Sequence, residues 1–278
     1  MKKIFLVCLI SLAVSNLALA EERFDVNDIS FNAECDSSIQ KYVRLLPKCF
    51  DESKQHNLII ALHGHGSDRW QFANDTQHSG LAIRNTAIKY NMIMVCPDYR
   101  ATTSWMGPKA EADVLQIIEE LKKQYKIGKV FICGGSMGGS SALTFTAIHP
   151  ELIAGVVSVN GTANHLEYSN FQDAISESFG GTKKQIPLEY KKRSAEYWPE
   201  SFTMPVGIAA SGKDELVPPQ SVLRLADVLE KMGKNVKLTY SPDRDHSTAS
   251  EVTENLFDYV ITKAGEKDCC TKQCTSKL

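Results

Sequence analysis

The sequence predicts an α/β fold in which a mostly parallel central sheet is flanked by helices. After residue 40, short β-rich apolar runs alternate with segments whose apolar residues recur at helical spacing. The runs in the middle of the chain are continuously apolar, which is typical of strands buried on both faces. The 278 residues, 43% of them hydrophobic, suit one folded domain and exclude a disordered or fibrous chain. The 31 basic and 33 acidic residues leave no positive excess, so we expect no nucleic-acid partner.

Seven apolar runs predict the strands in chain order. They are YVRLLP (42–47), NLIIALHG (57–64), NMIMVCP (91–97), KVFICGG (129–135), IAGVVSVNG (153–161), PVGIAASG (205–212) and NVKLTYS (235–241). Residues 21–50 predict an antiparallel lead-in to the sheet, and helical spacing predicts helices at 109–125, 219–232 and 251–263. Residues 161–204 lack a strand pattern, so they predict a small insertion over the active site, after the sixth strand.

The N-terminus has the layout of a secretory signal peptide. Lys2 and Lys3 precede an apolar stretch, and Ala18-Leu19-Ala20 is a cleavage pattern. We therefore expect cleavage after Ala20, a single domain over 21–278, a secreted or periplasmic location and no stable membrane anchor. The final Ser276-Lys277-Leu278 also spells a peroxisomal address, which we interpret as coincidence because a signal peptide acts first.

Five cysteines flank the two ends of the expected mature chain, three of them in the tail 265–278. They are Cys35, Cys49, Cys269, Cys270 and Cys274. Export makes disulfides between these segments plausible, although one sequence leaves their connectivity open. Cys96 and Cys133 lie inside apolar runs and are expected as buried strand thiols.

The run Gly134-Gly135-Ser136-Met137-Gly138-Gly139 is the sharpest local signal. A G-x-S-x-G pattern alone is weak, but here an apolar strand leads in and a small-residue helix leads out. Such a turn exposes the hydroxyl of Ser136 above the sheet edge. The alternative, a glycine-rich phosphate-binding turn, lacks the Lys-Ser/Thr that would follow the glycines.

A serine nucleophile requires a base, and the base requires an acid to orient it. His246 follows the last strand run, and Asp214 follows the run before it. Nucleophile, acid and base thus occur in the chain order Ser136, Asp214, His246. The rival acids are Glu215, Asp243 and Asp245.

Acyl transfer also requires two donors for the oxyanion. The backbone N–H of Met137, directly after the serine, is one candidate. The N–H of His65 in the loop His63-Gly64-His65-Gly66 is the other. A His-x-His metal site in this loop is the alternative, but no third ligand motif accompanies it, so we expect no metal. The remaining histidines are expected to be ordinary surface or capping residues: His56, His78, His149 and His165.

The LHGHG loop, the GGSMGG turn, the GKDELVPP acid loop and the late DRDHS histidine together resemble the α/β-hydrolase superfamily. Within it the chain is similar to secreted bacterial esterases close to polyhydroxybutyrate depolymerase-like and feruloyl esterase-like proteins, and to the catalytic domain of prolyl oligopeptidase-type peptidases. The resemblance runs from about Tyr42 to about Ala264. It implies a sheet of about eight strands, the triad and oxyanion roles given above, and no cofactor. One departure is that Arg244 and Asp245 precede the histidine, where a glycine is usual.

The expected activity is hydrolysis of a carboxylic ester, small or polymer-borne, through an acyl-enzyme. Four residues that follow strand ends are candidates for contact with the substrate: Tyr99, Arg100, Trp105 and Asn160. For Arg100, pairing with an acidic neighbour is the alternative, and for Trp105, packing beneath its loop. Two other functions stay open, a peptidase that uses the same triad and a secreted binding protein on a hydrolase scaffold.

Overall fold

A computed structural model describes the backbone of residues 23–275 and the side chains of residues 23–265. The predicted signal peptide, the last three residues and the side chains of the tail cysteines lie outside the described residues. Cys35 and Cys49 are free and exposed within the described part, and Cys96 and Cys133 are free and buried. No helix in the described part combines the length and the apolar character needed to cross a membrane.

Eight strands form one sheet in the order β1-β2-β4-β3-β5-β6-β7-β8. Their bounds are β1 Phe24–Asn32, β2 Ile39–Pro47, β3 His56–Leu62, β4 Ile93–Pro97, β5 Ile127–Gly135, β6 Gly155–Val159, β7 Val206–Ser211 and β8 Val236–Ser241. β1 pairs with β2, and β2 with β4, in antiparallel register, while all later pairs are parallel. The predicted fold class is therefore confirmed, including the antiparallel lead-in.

Helices cover both faces of this sheet. Their bounds are α1 Trp70–Asn74, α2 His78–Lys89, α3 Pro108–Gln124, α4 Met137–Ile148, α5 Gln172–Phe179, α6 Pro187–Lys192, α7 Gln220–Lys231 and α8 Ser250–Thr275. Successive strand side chains point to opposite faces, so β3 sends Leu58 and Ile60 into one core cluster and Ile59 into the other. Helices α3, α4 and α7 pack on the first cluster, and α1, α2 and α8 on the second.

The segment 161–204 follows the sixth strand, as predicted, and contains two short helices, α5 and α6, and two single 3₁₀ turns. A buried arginine, Arg193, ties it to the body of the fold. Its guanidinium donates to Glu111 on α3 at 2.7 Å and to the Met106 carbonyl at 2.6 Å. Burial alone would raise the pKa of Glu111, but the hydrogen bond from His149 and the charge of Arg193 lower that pKa to about 2. The insertion is thus fixed by a charged cluster that stays ionised at neutral pH.

Candidate active site

Ser136 stands between β5 and α4, at the centre of the sheet. Its backbone angles, φ 58° and ψ −122°, lie in a region that L-residues rarely adopt. The strain is held in place by a hydrogen bond from the Ser136 N–H to the Val159 carbonyl at 2.8 Å. Strand and helix therefore meet in a sharp turn that has Ser136 at its tip.

Two glycines make this turn possible. A Cβ on Gly138 would lie 1.8 Å from the Leu62 carbonyl oxygen, and a Cβ on Gly134 would lie 2.3 Å from the Gly138 carbonyl carbon. Only residues without a side chain allow β3, β5 and the first turn of α4 to approach so closely. The glycine-rich pattern is thus explained by packing that brings the serine next to the loop that follows β3.

Asp214 and His246 meet although 31 residues separate them. The Asp214 Oδ2 lies 2.6 Å from the His246 Nδ1, while Oδ1 accepts the N–H groups of Leu216 at 3.1 Å and Val217 at 2.8 Å. The Asp214 side chain is 1% exposed and the His246 side chain 24%. Because a carboxylate only accepts, it holds the imidazole proton on Nδ1 and leaves Nε2 as an acceptor.

The loops after β7 and β8 are joined, which positions the histidine. The Gly212 N–H donates to Ser241 O at 2.8 Å, and the Lys213 N–H donates to Arg244 O at 2.9 Å. Arg244 and Asp245 stand where a glycine is usual before the histidine. The loop keeps its connection with these residues, because the Arg244 carbonyl accepts the hydrogen bond that joins the two loops. Of the four candidate acids, Asp214 is the one that hydrogen-bonds to His246.

Ser136 and His246 line the same cavity, which has a volume of about 300 Å³. One wall of the cavity is formed by α1 and the residues that follow it. The remaining lining residues belong to strand ends and to the loops that follow the strands. Its other lining residues are Gly64, Gln71, Phe72, Asp75, His78, Ser79, Gly135, Val159, Asn160, Ser247 and Thr248. Ser136 and His246 thus share one accessible cavity, and the buried Asp214 binds His246.

The loop after β3 is held in place by the loop 99–106. The Tyr99 hydroxyl donates to His63 O at 2.6 Å, the Gly66 N–H donates to Thr102 O at 2.8 Å, and the Trp105 indole N–H donates to His65 Nδ1 at 3.1 Å. Burial lowers the pKa of His65, which keeps its ring neutral and able to accept the indole proton. Met137 is the first residue of α4, where backbone N–H groups lack intrahelical acceptors. The Met137 N–H thus belongs to a helix start directly after Ser136, and the His65 N–H belongs to a loop that is held by residues 99–106. Their role as oxyanion donors stays a prediction.

Three of the four predicted substrate-contact residues lie away from this cavity, and their expected role is corrected. Tyr99 is 1% exposed and Trp105 0%, so neither can touch a ligand in this arrangement. Arg100 is engaged by acids, as the alternative anticipated, because it donates to Asp36 at 3.0 Å and Asp113 at 2.6 Å. Asn160 alone lines the cavity.

The structure also corrects the expectation of a surface position for two of the ordinary histidines. His165 is fully buried, and burial lowers its pKa to about 3. His56 is 5% exposed, and its ring nitrogens bind the Asn91 and Asp51 carbonyls. His78 is exposed, as expected, and lines the cavity. Among the described residues, no group of three or more His, Cys, Asp or Glu side chains is placed to hold a metal ion.

The sequence model of the prolyl oligopeptidase family matches residues 99–264, which is more than half of the chain and includes Ser136, Asp214 and His246. The chain belongs to the prolyl oligopeptidase family. The eight-stranded, mostly parallel sheet described above is the α/β-hydrolase fold that the sequence motifs predict.

Solved structures share the fold of this prolyl oligopeptidase family member at low identity. The fluorophosphonate-binding serine hydrolase F of Staphylococcus aureus superposes with a TM-score of 0.66 at 15% identity, covering 87% of this chain and 99% of its own. The acylaminoacyl peptidase of Pyrococcus horikoshii gives 0.65 at 17%, covering 86% of this chain and 41% of its own. A ferulic acid esterase of Anaeromyces mucronatus gives 0.61 at 17%, covering 87% and 92%.

Curated relatives match the family member over a shorter stretch. A 2-hydroxy-6-oxononadienedioate/2-hydroxy-6-oxononatrienedioate hydrolase of Escherichia coli is 27% identical over 105 residues, which is 37% of this chain. The chain spans about a third of the length of that relative, 35%.

The cavity wall formed by α1 and the start of α2 was missed by sequence reasoning. Neither helix shows a clear amphipathic pattern in the sequence, since α1 has five residues and α2 reads HSGLAIRNTAIK. The Ser, Gly, Asn and Thr residues of α2 are also weak helix formers. The contact that places this wall is visible only in the structure. The Gln71 side-chain oxygen accepts the Gly64 N–H at 2.7 Å and so ties α1 to the loop after β3.

Proposed function

We propose that this protein is an exported serine hydrolase that cleaves carboxylic esters. The observation that carries the proposal is the hydrogen bond between Asp214 and His246, at the mouth of the cavity that Ser136 lines. A strained nucleophile turn at Ser136 and an oriented base at His246 support the proposal, and we assign the two backbone donors that acyl transfer also needs to the N–H groups of His65 and Met137. A binding protein would have no need for all of these together.

In the proposed reaction, the Ser136 Oγ attacks the ester carbonyl carbon while the His246 Nε2 takes the hydroxyl proton. The carbonyl oxygen becomes an oxyanion that accepts the N–H groups of His65 and Met137. When the C–O bond to the alcohol breaks, His246 returns its proton to the leaving oxygen. Water then attacks the acyl-enzyme with His246 as base, which releases the acid and restores Ser136.

The second candidate function is a peptidase that uses the same residues, and the family match favours it. The extent of the structural matches supports the ester reaction instead. The chain covers 92% of the ferulic acid esterase but 41% of the acylaminoacyl peptidase. Esters are also the easier substrate for this machinery, because an alkoxide leaves more readily than an amide nitrogen.

Two comparisons separate the two functions. One is an ester against an anilide of the same acyl group, and the other is that ester against peptide anilides that contain proline. We expect p-nitrophenyl acetate to be hydrolysed with a kcat/KM about 100-fold or more above that for p-nitroacetanilide and for proline-containing peptide anilides, a difference of about 3 kcal/mol in barrier height. Steady-state release of p-nitrophenol and p-nitroaniline measures both. Faster cleavage of the peptide anilides would instead assign the peptidase.

A second prediction concerns Trp105, whose indole N–H fixes His65. Trp105→Phe keeps an aromatic ring in the buried site but removes the donor to His65 Nδ1. We expect kcat to fall about fivefold while KM stays within about twofold, since one hydrogen bond contributes about 1 kcal/mol and the donor acts on the oxyanion loop. Stopped-flow and steady-state hydrolysis of p-nitrophenyl acetate give both constants.

Trp198 supplies the matched control, because its indole N–H donates to Lys191 O on the insertion, away from the cavity. Trp198→Phe should leave kcat unchanged. A rise in KM without a fall in kcat for Trp105→Phe would contradict a positioning role for that residue.

A further inference from the structure

One wall of the cavity next to Ser136 is built by α1 and the residue that follows it. Gln71 and Phe72 of α1 line this wall, and so does Asp75, which ends the helix in extended backbone at φ −62° and ψ 120°. The wall is anchored, because Gln71 accepts the Gly64 N–H and the Asp75 N–H donates to Gln71 O at 2.9 Å. A substrate bound to Ser136 therefore meets this wall first.

Asp75 gives this wall a negative charge. Among the described residues that line the cavity, it is the only Asp or Glu, and no Lys or Arg lines the cavity with it. Its Oδ1 accepts the Gln77 N–H at 2.9 Å, and the ion pairs of the described residues do not include Asp75. The carboxylate thus lies between the start of α2 and the cavity, since its Oδ2 is 2.9 Å from the position that a Cβ on Gly80 would take, and no Lys or Arg lines the cavity beside it.

The nearest cation, Arg84, is directed at the backbone instead. It is 6% exposed, and its guanidinium donates to Phe72 O at 2.8 Å and to Asp75 O. It does not line the cavity. Arg84 therefore binds carbonyl groups at the C-terminal end of α1 and forms no ion pair with the carboxylate of Asp75.

Phe72 adds an aromatic ring to the same wall. Its Cζ lies 3.8 Å from the position that a Cβ on Gly135 would take, so the ring tip is adjacent to the residue before Ser136. Phe72 is 4% exposed, so it offers the cavity the tip of its ring and not its face. A carboxylate beside an apolar surface recognises methylated ammonium groups through Coulomb attraction and through contact with their methyl groups.

We propose that this cavity selects esters that carry a cationic group, an ammonium or quaternary ammonium, and rejects anionic esters. The inference rests on the proposed function and names its substrate class. Asp75 and Phe72 would hold the cation, while Ser136 attacks a carbonyl a few bonds away. The small volume of about 300 Å³ confines the cation and the carbonyl to one short substrate.

The test uses p-nitrophenyl esters of similar chain length that differ in charge. They are the 4-(trimethylammonio)butyrate, its neutral isostere the 5,5-dimethylhexanoate, and the anionic hemiglutarate. A second arm places the cation in the alcohol by comparing acetylcholine with its neutral isostere 3,3-dimethylbutyl acetate. For the wild-type protein we expect kcat/KM to fall from the cationic to the neutral ester in at least one arm and to be lowest for the anion in the acyl arm. The arm that responds tells which half of the ester lies against Asp75.

Asp75→Asn should lower the cation-to-anion ratio of kcat/KM about tenfold, as expected when one partly buried charge is removed. Asp243→Asn is the matched control. Asp243 is 88% exposed in its side chain and pairs with Lys213 outside the cavity, so its ratio should equal that of the wild type.

A wild-type ratio near one in both arms, or a ratio unchanged in folded Asp75→Asn, overturns the cation site. If Asp75→Asn does not fold, the wild-type ranking and Phe72→Leu decide in its place. If no ester is hydrolysed at all, the proposed function fails separately. Calorimetric titration of Ser136→Ala protein with choline then tests the site alone, with saturable binding expected and its absence contradicting the inference.

Discussion

Ser136→Ala is expected to reduce hydrolysis of p-nitrophenyl acetate to near background, a loss of about 10⁵-fold or more in kcat. The substitution removes the attacking oxygen but keeps the Cβ, so the strained turn at φ 58° and its hydrogen bond to Val159 remain. What little activity is left would come from the backbone donors and from binding alone. Matched far-ultraviolet circular dichroism and melting curves would show that the variant is folded.

A fluorophosphonate probe, which forms a covalent bond with an activated serine, tests the same prediction. We expect one phosphonyl group on the wild-type protein, located by peptide mass at Ser136, and none on Ser136→Ala. Ser141→Ala is the control, since Ser141 is buried on the same helix and does not line the cavity. Activity that persists in Ser136→Ala would contradict the acyl-enzyme, and a folded wild type that neither reacts nor hydrolyses would favour the binding protein.

The position of the strands along the chain, and the sheet edge at which Ser136, Asp214 and His246 lie, could be predicted because both are encoded locally. Each continuously apolar run became a strand of the sheet, and each chemistry-bearing residue follows such a run directly. The carboxyl ends of parallel strands meet at one edge, so residues after β5, β7 and β8 had to converge there. No long-range contact was needed to place Ser136, Asp214 and His246 together.

The substrate-facing wall could not be predicted in this way, because it depends on packing between loops. Trp105 follows a strand end and looked like a ligand contact, but its loop turns inward through positive φ angles at Trp105 and Met106 and buries the indole against His65. The wall instead comes from α1, whose five residues are too few to show a period. Asp75 and Phe72 therefore carried no signal in the sequence.

The insertion shows the same limit. Residues 161–204 were expected over the active site, but within the described residues none of them lines the cavity of Ser136. They pack on the acid loop, where the Tyr168 hydroxyl donates to Leu216 O at 2.7 Å and the Asn170 amide donates to Glu215 O at 3.0 Å. They also pack on the loop after β3, where the centroid of the Phe171 ring lies 4.3 Å from that of the His65 ring. A missing strand pattern indicates that a segment leaves the sheet but not where it packs.

Asp214→Asn is expected to lower kcat about 10⁴-fold, or about 5 kcal/mol, although the side chain keeps its shape. The Leu216 and Val217 N–H groups both point at Oδ1, so the amide oxygen must take that side. The amide NH₂ then faces the His246 Nδ1 and donates to it. This forces the imidazole proton onto Nε2, where it blocks acceptance of the Ser136 proton.

The tautomer gives a readout that a loss of stability would not produce. Two-bond ¹H–¹⁵N spectra should show the neutral His246 protonated at Nδ1 in the wild type and at Nε2 in Asp214→Asn. Glu215→Gln makes the same carboxylate-to-amide change at an exposed neighbour and should leave kcat within about twofold. If instead Asp214→Asn retained full activity while Glu215→Gln lost it, the acid would be Glu215, and the 2.6 Å contact between Asp214 and His246 would serve only to hold the two loops together.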